Sequence, residues 1–164
     1  MADTPAPGPA LPVSCPCGSV SFTTPPLATR IAYCHCTSCR KQSGSAFGAS
    51  IYYPTPIFFD TLPADLLSPS SGLLSIYEYP TDSGNTMRGY FCPKCGTRVF
   101  NAVVLPDGKT LREVVAVKAG LVDDVGEGGL GWKGQKGVHI FTKSAVMELA
   151  EGWECYETMP GEGK

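Results

Sequence analysis

The sequence predicts a single-domain, mainly β fold with little helix. Glycine (19 residues) and proline (15 residues) occur throughout the 164-residue chain, and both residues interrupt helices. Short runs rich in β-branched and aromatic residues lie between them, which is typical of strands. Seven such runs, each bounded by turn residues, favour an all-β sandwich over a helix bundle. One hydrophobic core is expected for a chain of this length.

The seven predicted strands extend over most of the chain. In order they are Ser19–Thr23, Thr29–Tyr33, Ala46–Tyr53, Leu73–Tyr79, Met87–Phe91, Thr97–Leu105 and Leu111–Gly120. The last two are separated by Pro106–Lys109, which has the sequence PDGK and contains the Asp-Gly pair of tight hairpin turns. A hairpin is therefore predicted to join them.

Three further segments are interpreted from their turn and capping residues. Leu62–Gly72 is predicted to be a loop with room for one helical turn. Ser144–Gly152 is predicted to be a short helix, with Ser144 as its N-cap and Gly152 as its end. Asp123–Gly137 contains six glycines, which predicts a surface loop that is either a plain connector or an active-site lid.

Both ends of the chain are predicted to be tails. The first 13 residues, MADTPAPGPALPV, are rich in proline, glycine and alanine and are expected to be disordered. The folded domain is expected at residues 14–158, followed by a C-terminal tail at 159–164. The N-terminal residues have neither the basic region nor the apolar region of a secretory signal.

The composition argues against several kinds of partner. The net charge of −2 gives no long-range attraction to nucleic-acid phosphates or anionic lipid. The longest apolar runs are only a few residues, as in Val114–Val117, whereas a membrane-spanning helix needs about 20. Eight cysteines without a secretory signal indicate a reducing compartment. We therefore expect a cytoplasmic protein that binds neither nucleic acid nor membrane.

Two distant cysteine pairs predict one closed metal site. The first pair is a C-x-C and the second a C-x-x-C, and each is followed by a glycine, Gly18 or Gly96. Two such pairs can supply four thiolates to one tetrahedral zinc ion, and the glycines allow tight turns that aim backbone N–H groups at sulfur. The predicted ligands are Cys15, Cys17, Cys92 and Cys95. This zinc would be structural and could contribute about 10 kcal/mol to folding.

A third cluster predicts a different, open site. Cys34, Cys36 and Cys39 form C-x-C-x-x-C on one short segment, so the chain must curl after Cys36. Three protein thiolates leave one position on a tetrahedral zinc ion for water or substrate, as in catalytic sites. Three ligands also hold a metal less firmly than four, so this zinc is the one expected to be lost on isolation.

The three-thiolate donor set limits the chemistry. It makes zinc a poorer source of hydroxide than a site of three histidines, but suits a soft thiol ligand. A bound thiol would be deprotonated and held beside its electrophile, so carbon–sulfur bond making or breaking is expected. Cys155 is either a free thiol or a fourth ligand, in which case both zinc ions would be structural.

Five segments of the chain carry a family resemblance. They are, in order, SCPCGSVSF, YCHCTSCRKQSGSAF, YFCPKCGTRVF, VAVKAGLVDD and HIFTKSAV. They resemble the glutathione-dependent formaldehyde-activating enzyme family, which includes centromere protein V, over about Ser14 to Trp153. The resemblance implies a zinc-bound fold of distorted β-sheets like that of the zinc-containing Rab-interacting exchange factor. It also implies the same division of the cysteines into four structural and three catalytic ligands.

The resemblance implies an activity as well. The founding reaction of the family joins formaldehyde to glutathione to give S-hydroxymethylglutathione, which is a carbon–sulfur lyase reaction in reverse. A zinc-dependent carbon–sulfur lyase acting on a small thiol adduct is therefore the leading hypothesis. Two alternatives stay open. One is a zinc Lewis-acid enzyme, such as an isomerase, dehydratase or cyclase, for an unrelated small molecule. The other is a non-enzymatic, zinc-stabilised module that binds another protein.

Residues near the cysteine motifs are candidates for substrate binding and proton transfer. His139 is the candidate acid or base, because a histidine pKa lies near neutrality; a packed, hydrogen-bonded histidine is the alternative. His35 is expected to point away from the metal, because side chains alternate in an extended C-x-C. Arg40 could receive a substrate carboxylate. Ser45 and Phe47 could line the pocket mouth, with a core position as the alternative for Phe47.

Overall fold

The computed structural model describes residues 8–26, 30–123 and 137–160. These residues contain ten strands and two short α-helices. The strands are β1 (Pro12–Ser14), β2 (Ser21–Thr23), β3 (Ile31–Cys34), β4 (Gly48–Pro54), β5 (Ser75–Pro80), β6 (Thr86–Phe91), β7 (Arg98–Val104), β8 (Leu111–Lys118), β9 (Val138–Ile140) and β10 (Glu154–Cys155). The helices are α1 (Thr37–Ser43) and α2 (Thr55–Thr61), and 3-10 turns occur at Ala119–Leu121 and Thr142–Ser144.

Eight of the strands form one mixed sheet in the order β10-β9-β3-β4-β8-β7-β6-β5. The pairs β10–β9 and β9–β3 are parallel, and all other neighbours are antiparallel. β1 and β2 form a separate antiparallel ribbon. The predicted mainly β fold with little helix is therefore confirmed. None of the described helices is long and apolar enough to cross a membrane.

The main hydrophobic core covers one face of the large sheet. Ile31, Ile51, Val117 and Phe100 come from four neighbouring strands and are fully buried in it. Phe58 of α2 packs edge-on against Phe100, with their ring centroids 5.1 Å apart. The alternation of side chains along a strand sends the next residue of each strand to the other face.

The opposite face carries a smaller cluster that includes cysteine side chains. Ala32, Cys34 and Ile140 are buried there. Cys36, Cys39, Tyr52, Val138, Phe141 and Met159 pack around them. Helix α1 lies against this face, because a Cβ placed on Gly48 of β4 would come within 3.2 Å of the Cys39 Cβ. The two faces of one sheet thus have different roles, one forming the main core and the other supporting α1.

All seven predicted strands are present, and their observed ends lie within two residues of the predicted ones. The predicted hairpin is also confirmed, because β7 and β8 are antiparallel neighbours with Val104 opposite Leu111. Residues 62–72 form consecutive turns rather than a helix or strand. Most of the glycine-rich segment Asp123–Gly137 lies outside the described residues, so both interpretations of it stay predictions.

The helix predicted at Ser144–Gly152 is wrong. Only a 3-10 turn ends at Ser144, and Ala145 is already extended, with ψ 141°. Just before this segment, Thr142 donates its N–H to the carbonyl of Tyr156, 3.0 Å away, so the point where the helix would begin is held by residues beyond its end. A two-turn helix is marginal in isolation, and such tertiary contacts easily override its propensity.

Ordered structure extends beyond both predicted ends of the domain. Leu11 and Val13 are buried in the main core, and β1 begins at Pro12, within the predicted tail. Leu11 and Val13 are apolar and two residues apart, so their side chains lie on the same face of the chain. That face packs into the core when β1 pairs with β2. At the other end, Met159 packs against the smaller cluster, although it falls in the predicted C-terminal tail.

Candidate metal centres

The four predicted structural ligands lie together. Their sulfur atoms are within 4.8 Å of one another. The Sγ atom of Cys17 is 3.5 Å from that of Cys15 and 3.7 Å from that of Cys92. Tetrahedral thiolates around one ion, at about 2.3 Å each, lie about 3.8 Å apart. The group could therefore hold one metal ion.

The two halves of this site have the same local backbone structure, although one is C-x-C and the other C-x-x-C. In each half the N–H of the first cysteine donates to the carbonyl oxygen five residues later. The carbonyl oxygen of the same cysteine accepts the N–H of the glycine that follows the pair. These N–O distances are 2.8 to 3.0 Å. Gly18 and Gly96 both have left-handed backbone, with φ of 72° and 74°. Only glycine adopts that conformation without strain, which explains the glycine after each pair.

The thiols of the four-cysteine site differ in acidity. Hydrogen bonding with Thr97 lowers the pKa of the exposed Cys95 to about 6. Burial raises the pKa of Cys92 to about 11. A positive ion between the sulfur atoms would favour the thiolate form of every ligand.

Cys34, Cys36 and Cys39 form the second group, and their sulfur atoms also lie within 4.8 Å of one another. Cys34 ends β3, and Cys36 is the N-cap of α1, where its sulfur accepts the N–H of Cys39 at 3.3 Å. Helix α1 is thus the curl after Cys36 that the sequence requires. Gly44 ends the helix in the left-handed conformation, with φ 59°.

The three thiols cannot all ionise easily without a cation. Hydrogen bonds with Cys36 and Cys39, together with burial, raise the pKa of Cys34. Hydrogen bonds with Cys34 and Cys39 lower the pKa of Cys36 to about 2. One thiolate is therefore stabilised by two protonated neighbours, and a bound metal ion would replace those protons.

No fourth donor completes this group among the described residues. Cys155 is exposed on β10, opposite His139 of β9, and its sulfur is not one of the grouped atoms. The structure therefore contradicts the alternative in which Cys155 is the fourth ligand of the three-cysteine group. The open coordination position at the three-cysteine group stays a prediction.

Polar groups surround the three cysteines on the same face of the sheet. Tyr52 packs against them, and burial and the negative charge of the cysteines raise the pKa of Tyr52. Lys118 donates from Nζ to the Ser50 hydroxyl at 3.4 Å. Burial lowers the pKa of Lys118, while charge on Cys39 and Cys34 acts in the opposite direction. A lysine ammonium thus lies in the electrostatic field of the thiols.

Lys118 was not among the residues predicted from the sequence. A signal for it was present, because it is the only charged residue in the otherwise apolar run VVAVKAG. Lysine side chains are mostly exposed in folded proteins, whereas this one is half-buried.

The predicted substrate-binding residues are only partly together. Arg40 and Ser45 line an open cavity of about 490 Å³, together with Thr37, Lys41, Gly44, Ala46 and Val146. The buried Nε atom of Arg40 has no hydrogen-bond partner among the described residues. Phe47 does not line this cavity; its ring packs against Tyr33 and His35, at centroid distances of 5.4 and 5.6 Å.

His139 is not brought to the thiols. Its neighbour Ile140 packs with Cys34, so alternation along β9 sends the His139 side chain to the other face. There it stacks on Trp153, with centroids 4.5 Å apart, and hydrogen-bonds through Nδ1 to Nε2 of His35 at 2.9 Å. His139 therefore fits the alternative of a packed, hydrogen-bonded histidine. His35 points away from the three thiols, as predicted.

These features define a class of protein: a mainly β protein with one group of four cysteines and one group of three, each of which could hold a metal ion. The chain belongs to the glutathione-dependent formaldehyde-activating enzyme family, whose sequence model matches residues 10–144. The match includes both cysteine groups and confirms the resemblance seen in the motifs. No curated protein matches the chain.

Proposed function

We propose that the protein is a zinc-dependent enzyme of the carbon–sulfur lyase type that acts on a small thiol adduct. Glutathione and formaldehyde, which give S-hydroxymethylglutathione, are the proposed pair, in keeping with the family description. The observation that carries the proposal is the three-thiol group, which lacks a fourth protein donor among the described residues. We also propose a cytoplasmic location, since these thiols need a reducing compartment.

Zinc is the metal proposed for both groups. Four clustered thiols are a common donor set for structural zinc, and three thiols with one open position suit catalytic zinc. When bound by the three cysteines, zinc would supply an open position at which a thiol loses its proton near neutral pH.

The residues around the open site suit the remaining steps. In the proposed reaction a sulfur–carbon bond forms, the carbonyl π bond opens, and the thiol proton ends on the new hydroxyl oxygen. Lys118 Nζ, held by Ser50 near the thiols, is the group that would donate a hydrogen bond to this oxygen. Arg40 and Ser45 would bind a substrate carboxylate in their shared cavity.

His139 would act as a positioning residue in this scheme. It hydrogen-bonds to His35, which lies between two of the three ligands in the chain. Stacking on Trp153 fixes the His139 ring, and through His35 it would fix the separation of Cys34 and Cys36. In this proposal Lys118, rather than His139, is the group beside the new hydroxyl oxygen, and His139 takes no part in proton transfer.

The proposal is tested by measuring glutathione-dependent consumption of formaldehyde by the zinc-loaded chain. Turnover that requires both substrates is the expected result. Absence of turnover with both metal sites filled would reject this reaction. Activity on another small molecule would then favour the Lewis-acid alternative, and an inactive but stably folded protein would favour the protein-binding module.

Two cysteine variants test the division of labour between the sites. Cys39→Ser should leave a folded protein whose activity falls by at least about a hundredfold, because only the open site is damaged. Cys15→Ser should unfold or strongly destabilise the protein, because Cys15 is buried in the main core. Circular dichroism and the formaldehyde assay measure the two effects. Equal collapse of both variants would contradict an open catalytic site.

A further inference from the structure

Arg98 is a half-buried cation with no carboxylate partner among the described residues. Ion pairs of that part of the chain include Arg30 with Glu154 and Arg88 with Glu78, and neither involves Arg98. Arg98 instead donates from Nη1 to the amide oxygen of Asn101 at 3.2 Å. A guanidinium has five donors in a planar fork, so most of its donors remain available to an anion.

The backbone of β6 leaves space for this guanidinium. A Cβ on Gly89 would lie 1.0 Å from Arg98 Nη1 and 2.2 Å from its Cζ. Any residue other than glycine at position 89 would therefore displace the Arg98 side chain. Arg98 is held at one place on the sheet by this contact together with the hydrogen bond to Asn101.

That place is on the same face as the three thiols. Asn101 of β7 lies opposite Gly89 of β6 and also opposite Ala116 of β8. Ala116 in turn lies opposite Tyr52 of β4. Directly opposed residues of neighbouring strands project from the same face. Tyr52 packs against the three-cysteine cluster, and charge on Cys39 acts on the Arg98 guanidinium.

Arg98 also lines an open cavity of about 280 Å³ together with Gln42, Tyr77, Phe91 and Gly96. Gln42 belongs to α1, the helix that carries Cys39. Its Nε2 donates to the Tyr79 hydroxyl at 2.8 Å, whereas its buried Oε1 has no partner among the described residues. The cavity thus offers guanidinium donors and one amide acceptor beside the cysteine group.

We propose that Arg98 binds a carboxylate of the thiol substrate and that Gln42 Oε1 accepts an adjacent amide N–H. The site would therefore select peptide-like thiols with a free carboxylate over neutral thiols. This inference rests on the proposed function, because it assumes that the thiol binds at the three-cysteine group. Glutathione has a carboxylate on each side of its thiol, so Arg98 would bind the carboxylate of its C-terminal glycine and Arg40 the other one, from the two cavities beside α1.

The test compares two thiols that differ only in the carboxylate: N-acetyl-cysteinylglycine and its C-terminal amide. Their dissociation constants are measured by calorimetry on the zinc-loaded full chain. The wild-type protein should bind the acid roughly 10-fold or more tightly than the amide, since a charge-assisted bidentate pair is lost with the amide. Arg98→Gln should abolish this preference and leave the affinity for the amide unchanged.

Three further variants complete the test. Gly89→Ala, which keeps the charge but displaces the guanidinium, should also remove the preference. Arg98→Lys should reduce it several-fold, since lysine cannot form the bidentate pair, and it replaces Arg98→Gln if thermal melting shows that the latter is unfolded. Arg88→Gln is the matched control, because Arg88 pairs with Glu78, and it should behave like the wild type.

The possible failures are distinguishable. Equal affinity of the wild type for acid and amide, or a preference that survives Arg98→Gln, overturns the Arg98 subsite while the thiol site stands. Failure of both dipeptides to bind overturns the proposed thiol site and this inference together.

Discussion

Half-buried Lys118 lies beside the thiols, and in the proposed reaction it would serve chemistry at the expense of stability. Burial lowers the pKa of Lys118, and its described hydrogen bond is to a neutral hydroxyl. A cation held in this way is not explained by packing, because an apolar side chain of similar length would fill the same space.

We predict that Lys118→Met separates the two effects. The rate of glutathione-dependent formaldehyde consumption should fall on the order of a hundredfold, because the donor to the developing hydroxyl is lost. The free energy of unfolding should stay equal or rise by about 1 kcal/mol. Urea denaturation and the formaldehyde assay measure these, and Lys109→Met, in the exposed β7–β8 turn, is the control. Wild-type turnover by Lys118→Met would exclude its catalytic role.

Residues of the site differ in how far the sequence reveals them. The seven clustered cysteines could be divided correctly from spacing alone, because the members of each pair or triplet are only two or three residues apart. Lys118 and Arg98 could not be assigned, because their partners come from other strands. Which face Arg98 joins also depends on the irregular register of β6 and β7 at Tyr90 and Phe91, which the sequence does not display.

At the scale of elements, α1 and β4 together shape the three-cysteine group. Gly48 of β4 lies under Cys39 of α1, and a Cβ there would be 3.2 Å from the Cys39 Cβ. Contacts this short force a neighbour to move. The helix is seven residues long with no buried residue of its own, so it is the element that would yield.

We predict that Gly48→Val weakens metal binding at the three-cysteine group alone. The extra methyl groups should push α1 away and reduce metal affinity at that site at least about tenfold, since three ligands must converge on one ion. Metal content per chain should fall from about two to about one while the circular dichroism spectrum is unchanged. Gly120→Val, where a Cβ meets nothing within 4 Å, is the control. Retention of both metals would contradict the prediction.

The helices and strands also differ in how well the sequence predicts them. Strands of the main core have apolar and β-branched residues between clear turns, so their local preference agrees with their final environment. Helix α1 is short and begins inside a cysteine motif, where spacing rather than periodicity is the signal. Residues 144–152 have helical capping residues, but the residues just before them, Phe141 and Thr142, are hydrogen-bonded to the C-terminal segment at Thr158 and Tyr156.

At the scale of the whole molecule, the two cysteine groups have unequal connections to the fold. Cys15 and Cys92 belong to the main core, and their site links the β1–β2 ribbon to the segment between β6 and β7. The three-cysteine group belongs to the smaller cluster on the opposite face and uses one continuous segment, from the end of β3 into α1. Loss of a metal from the first group would separate distant parts of the chain, whereas loss from the second would release only a short one.

We therefore predict that a chelator removes the two metals in separate steps. The three-cysteine metal should leave first, because it has fewer protein ligands and an open position, and activity should disappear with it while the β-sheet spectrum remains. The four-cysteine metal should leave at higher chelator concentration together with unfolding, because it cross-links chain segments whose separation restores much conformational entropy. A chromogenic chelator counts each released ion while circular dichroism follows the sheet. Release of both metals in one step that coincides with unfolding would show that the open site is as much a part of the fold as the closed one.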